Sequence, residues 1–145
     1  MKRKVALAIV ALLIVGAICL FTIVPGVIER GQNKIDGAPL PPVSEHAQAL
    51  HRTLTIVDLH ADTLMWDRDL LDRGDRGHMD LPRLREGNVT LQVFSSVTKS
   101  PKGLNYDSNS ADAVDMITPL AIVQGQPSQT WSSLLQRSQR RRKAR

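Results

Sequence analysis

The chain has 145 residues, 42% of them apolar and only 3% aromatic, which is room for one domain at most beyond a single hydrophobic run and too apolar for wholesale disorder. One Cys excludes an intrachain disulfide framework and any Cys-based zinc finger, since both need at least two thiols. The net charge of +5 sits at the tips, on Lys2, Arg3 and Lys4 and on Arg137, Arg140, Arg141, Arg142, Lys143 and Arg145; the body between is net acidic, with no basic stripe interleaved with aromatics, and no nucleic-acid partner is expected.

Val5 to Val24 carries no charge and a single Thr, and as a helix it spans about 30 Å, the thickness of a bilayer's hydrocarbon. Lys2, Arg3 and Lys4 before it predict a cytoplasmic N-terminus, with all that follows Pro25 delivered outside the cytoplasm. The run is longer than a signal-peptide core and no small-residue cleavage site follows, while the branched Ile18 before Cys19 argues against lipoprotein processing. An uncleaved single-pass anchor is the expectation. Residues 25–44, with four Pro and three Gly, read as a linker. Glu45 to Arg52 predicts a short helix bearing His46 and His51 as surface histidines.

Leu54 to Leu59 is a short β-branched run, the pattern of a buried strand entering a functional loop. His60 and Asp62 follow. In extended backbone, residues two apart project to one face, so this imidazole and carboxylate can converge on one cation, and both are suitable zinc ligands. An H-x-D pair alone is a weak signal, because two ligands fall short of the usual three or four. Asp67, Asp69, Asp72 and Asp75 lie in a mixed-charge stretch that reads as a solvated face with local ion pairs. Next, Asp80 is a helix N-cap, Pro82 fits a first turn, and Gly87 closes the short helix in left-handed backbone. Residues 88–97 predict a second buried strand parallel to the first. After a Ser/Asn/Lys/Gly loop, Ala111 to Val123 predicts a helix capped by Ser110, kinked or ended early at Pro119 and packed on the second strand. Trp131, Leu134 and Leu135 extend an amphipathic turn or two.

Two of these stretches, VDLHADTL (57–64) and GHMDLPRLREGNVTLQVFS (77–95), resemble in order the two N-terminal motifs of the membrane dipeptidase (renal dipeptidase-like) family of zinc metallopeptidases. Asp58, His60 and Asp62 match the D-x-H-x-D motif. His78, Asp80, Leu81, Pro82, Arg83, Leu84, Gly87, Val89, Gln92, Phe94 and Ser95 match the second, with His78 positional in the family and not a ligand. The resemblance runs from about Thr53 to Val123. It implies an α/β fold, the first two strands of a (β/α)₈ TIM-type barrel, and a two-zinc site in which the metals activate water to hydrolyse a dipeptide, with His60 and Asp62 as metal ligands here.

The same resemblance implies a bridging Glu and two further His from later strands, yet no Glu follows Glu86 and no His follows His78. At most a partial zinc site and no complete catalytic set is therefore expected. The basic run SQRRRKAR reads as the product of a shifted frame, or else as a solvated tail. The expected organisation is a cytoplasmic tip and anchor (1–24), linker (25–44), dipeptidase-like barrel fragment (45–136) and basic tail (137–145). The alternative is a non-catalytic truncated protein, or a single-pass membrane protein that binds partners.

Overall fold

A computed structural model describes residues 2–35 and 37–141 of the chain. Helix α1 (Lys2–Thr22) is apolar and fully exposed along its length, and α2 (Val24–Gln32) follows after one residue. Together they form one helix long and apolar enough to cross a bilayer. Pro25 does not break it: Pro is tolerated in a first turn, where its absent N–H has no partner to lose.

The first eight of the twenty residues of the predicted linker are thus helical, and they are not free. Glu29 on α2 is buried, its Oε2 accepting from Arg76 Nε and its Oε1 lying 3.7 Å from Arg68 Nε. Gly77 N donates to Asn33 O at 2.8 Å just beyond the helix. The other face of α2 meets α5 (Ile117–Val123), leaving a cavity of about 400 Å³ lined by Ile28, Gln32, Trp66 and Leu120. Composition marked 25–44 as a spacer because Pro and Gly are dense there, but the prolines at 39, 41 and 42 and Gly37 fall after the helix.

Helix α3 (Glu45–Thr53) begins at Ser44, whose hydroxyl accepts from Ala47 N at 3.2 Å, with His46 exposed and His51 half-buried. Strand β1 (Ile56–Ala61) pairs in parallel with β2 (Val89–Phe94), in register Val57 with Leu91, Asp58 with Gln92 and Ala61 with Phe94. Between them run a 3₁₀ turn (Thr63–Met65), an extended charged loop and α4 (Leu81–Glu86). The fold is therefore mixed α/β with a two-stranded parallel sheet and an N-terminal apolar helix, as expected at that level. The strands are not buried, however. Val57, Leu59, Leu91 and Val93 keep 41–71% of their surface exposed, because none of the described elements packs on that face of the sheet.

The predicted Asp80 cap is present and is the anchor of the crossover. Asp80, 1% exposed, accepts from Arg83 N at 2.9 Å, Gly74 N at 3.0 Å and Arg83 Nη1 at 2.7 Å. Burial pushes its carboxyl up, but the two backbone donors and Arg83 outweigh that and hold it below the ordinary value. Asp80→Ala in the full chain is expected to lower unfolding free energy by about 2 kcal/mol, since it removes a cap and strands a guanidinium; urea unfolding followed by tryptophan fluorescence measures it. Gly87 does not take the left-handed backbone expected of it (φ −77°); Asn88 does (φ 54°), and its Nδ2 donates to His51 O and Leu54 O, tying α3 to β2. At Gly87 the backbone is close instead: a Cβ there would stand 3.2 Å from Arg83 O, a tight contact that the carbonyl would have to relieve by a few tenths of an ångström.

The helix predicted over 111–123 starts only at Ile117. Residues 114–116 pair back on the chain, Lys102 N donating to Val114 O and Met116 N to Ser100 O, each at 2.8 Å. Asp115, not Ser110, accepts from Ile117 N at 3.0 Å; the Ser110 hydroxyl serves only a local turn through Asp112 N. Pro119 accordingly lies in the first turn and bends nothing. The helix packs mainly on α6 (Gln129–Ser132) and α2, not on β2.

Helix α7 (Leu134–Arg141) carries the correction to the basic tail. Arg137 is 2% exposed and donates to Thr130 O, Thr98 O, Trp131 O, Thr118 Oγ1 and Asp115 Oδ2. Counting Arg137 among solvated tail cations was natural from composition. Its burial is possible because a carboxylate and three main-chain carbonyls neutralise it and take up its donors. Arg140 is exposed, as expected; Arg142, Lys143 and Arg145 lie outside the described residues. The buried apolar set among the described residues is small (Ala61, Ile117, Leu120, Ala121), and Glu29, Asp80 and Arg137 are buried beside it, each with opposite charges as partners.

Candidate metal site

His60 and Asp62 lie where β1 ends and the chain turns into the 3₁₀ segment. The predicted strand was set two residues early: pairing of Ala61 with Phe94 carries the ladder past His60, so the imidazole rises from the strand itself. His60 Nε2 and Asp62 Oδ1 are 3.2 Å apart and face one another. Both are open to solvent, with 72% and 46% of their side chains exposed. Asp58, the first carboxylate of the motif, turns back on the backbone instead, its Oδ1 accepting from His60 N at 2.9 Å. That bond fixes the local backbone from which the imidazole projects.

Asp62 is held by a residue that sequence reasoning recorded only as part of a motif. Ser95 Oγ donates to Asp62 Oδ1, and Ser95 N donates to Ala61 O at 2.9 Å. Ser95 directly follows β2, so parallel pairing delivers its hydroxyl to the end of β1. The available signal was its place one residue after the strand, but only the register of the sheet turns that place into a contact.

The donor set can be tested for metal. A zinc ion about 2.0–2.1 Å from a nitrogen and an oxygen at a tetrahedral angle sets those donors about 3.3 Å apart; the 3.2 Å between His60 Nε2 and Asp62 Oδ1 fits. Imidazole nitrogen and carboxylate oxygen are both zinc donors, and the solvent-facing side leaves room for further ligands. Among the described residues no third His, Cys, Asp or Glu joins the pair. His46, His51 and His78 lie elsewhere on the surface, and Asp67, Asp69, Asp72 and Asp75 are all exposed, as the solvated-face reading expects. Asp75 forms an ion pair with Arg76, while Asp69 accepts from Leu71 N at 2.9 Å.

Beside the pair, a cavity of about 740 Å³ runs along β2 and α4, with Leu64, Leu84, Val89, Phe94, Ser95 and Ser96 among its walls. Its surface is mainly apolar, and Ser95 both lines it and donates to Asp62. No protein-family model matches this chain, and no curated protein and no solved structure matches it.

Proposed function

We propose that the chain carries the first two barrel strands and the first two metal ligands of a membrane-anchored zinc dipeptidase of the membrane dipeptidase type. The observation that carries this reading is the convergence of His60 Nε2 and Asp62 Oδ1 at the carboxyl end of the first of two parallel strands. Sites in (β/α)₈ barrels are built at that end of the strands. In this reading α1 is a single-pass anchor with its N-terminus in the cytoplasm, and the body is extracytoplasmic.

His60 and Asp62 would hold one zinc, with Ser95 keeping the carboxylate turned toward the imidazole and the Asp58 carboxylate fixing the backbone between them. Bound zinc supplies Lewis acidity for hydrolysis of a peptide bond. Two protein ligands form a weak site, and dipeptide turnover requires the further ligands that the family resemblance implies.

The test is zinc binding by the intact purified chain at neutral pH, measured by titration calorimetry and metal analysis. His60→Ala and Asp62→Ala are each expected to weaken zinc binding at least about ten-fold, and Ser95→Ala by less, in line with losses seen when an outer ligand partner is removed. A wild-type chain that takes up no zinc, or variants that bind it equally well, would remove the basis of the reading. A second reading, a single-pass protein that binds partners, is favoured by the exposed apolar face of the sheet at Val57, Leu59, Leu91 and Val93. Cooperative unfolding of the zinc-free chain, together with a specific co-purifying partner, would favour it over the first.

A further inference from the structure

The junction of the N-terminal helix and the body contains a further cleft, unrelated to His60 and Asp62. It encloses about 250 Å³ between Phe21, Thr22, Pro25 and Glu29 on the helix and Asp67 and Arg76 on the body, with Gln124 as a further wall. Its depth follows from helix geometry. If the apolar run ends at Val24, Phe21 lies about 4–5 Å inside the hydrocarbon and Glu29 about 7–8 Å outside it, so the cleft straddles the layer of lipid headgroups.

The groups left unused in the cleft are chemically specific. Arg76 is 29% exposed; its Nε and Nη1 are taken by Glu29 and Asp75, and its Nη2 makes no hydrogen bond among the described residues. Asp67 is exposed and its carboxylate has no partner among them. Glu29, whose side chain is 8% exposed, is already committed, its Oε2 accepting from Arg76 Nε and its buried Oε1 lying 3.7 Å from Arg68 Nε. Gln124 is already committed, donating to Met65 O and accepting from Gln126, and Thr22 Oγ1 donates to Ile18 O. What remains is a guanidinium N–H pair for a phosphate oxygen, beside the Asp67 carboxylate, which has no N–H donor among the described residues.

We propose that this cleft binds the headgroup of a phospholipid carrying a primary ammonium next to its phosphodiester, with the phosphate on Arg76 and the ammonium on Asp67. The proposal rests on the reading of α1 as a membrane anchor. A phosphate alone would leave the Asp67 carboxylate facing it without a donor, and a quaternary ammonium has the charge but no N–H to give. Phosphatidylethanolamine satisfies both halves of the cleft.

The full-length chain is extracted with mild detergent from vesicles of equal phosphatidylethanolamine, phosphatidylcholine and phosphatidylglycerol, and the retained lipid is counted by native mass spectrometry. Phosphatidylethanolamine should be retained about five-fold over phosphatidylcholine, the ratio expected of one partly exposed charge-assisted contact. Asp67→Asn should bring the two to parity, and Asp72→Asn, outside the cleft, should not. Equal retention by the wild type, or preference for phosphatidylglycerol, overturns the headgroup site while the anchor stands, provided the chain stays with the membrane after alkaline carbonate washing. Release by carbonate overturns the anchor and this site with it.

Discussion

Arg137→Met in the full-length chain lowers the unfolding free energy by about 3–5 kcal/mol, the usual cost of removing one partner of a buried ion pair. Methionine restores most of the volume, so the loss measures the charge and the donors. Asp115 is left without its cation, and the carbonyls of Thr98 and Thr130 without the donor that Arg137 supplied, while Trp131 O keeps the Thr118 hydroxyl. Arg140→Met, on the exposed face of the same helix, should change stability by less than about 0.5 kcal/mol. Denaturant unfolding in detergent measures both, and amide exchange should place the opening of the variant in 115–137. Equal, small effects at 137 and 140 would mean that the end of the chain is a solvated tail after all.

The same knot sets an acid limit. Burial pushes the Asp115 carboxyl up, but hydrogen bonds from Ser100 N, Arg137 and Ile117 N hold it down to about 2. A depressed carboxyl contributes stability that is complete above its unfolded value near 4 and is lost as pH falls through its folded value. The knot should therefore weaken between about pH 4 and pH 2, by about 2 kcal/mol in all. In Arg137→Met that acid dependence should shrink but not vanish, because the two backbone donors to Asp115 remain.

Glu29→Ala has the second largest expected effect, and it acts on the link between the body and the apolar N-terminal helix. The alanine leaves Arg76 and Arg68 facing each other across the place of a buried carboxylate, a loss of about 3 kcal/mol in docking and hence about a hundred-fold more frequent opening. Arg30 and Lys34 flank the seam. Trypsin should cut the variant there about a hundred times faster than the wild type while cleavage beyond residue 45 keeps its rate. Glu29→Gln keeps the shape and loses the charge, and should fall between. An unchanged cleavage rate in Glu29→Ala would show that 25–44 behaves as the free spacer its composition suggests.

The sequence by itself determined the elements whose signals are local. Twenty uncharged residues dictate α1, Ser44 and Asp80 cap their helices through their own side chains, and β-branched runs mark both strands. The side-by-side projection of His60 and Asp62 was legible too, since period-two geometry belongs to any extended chain. Only the tertiary structure decided which polar groups are buried. Glu29 meets Arg76 across 47 residues and Arg137 meets Asp115 across 22, and nothing in the local pattern separates these charges from their exposed neighbours Arg30 and Arg140. Ser95 likewise reaches Asp62 only through the parallel register of β1 and β2. Capping and periodicity are interactions of a residue with its near neighbours in the chain, whereas the burial of a charge depends on a partner that the fold must bring to it.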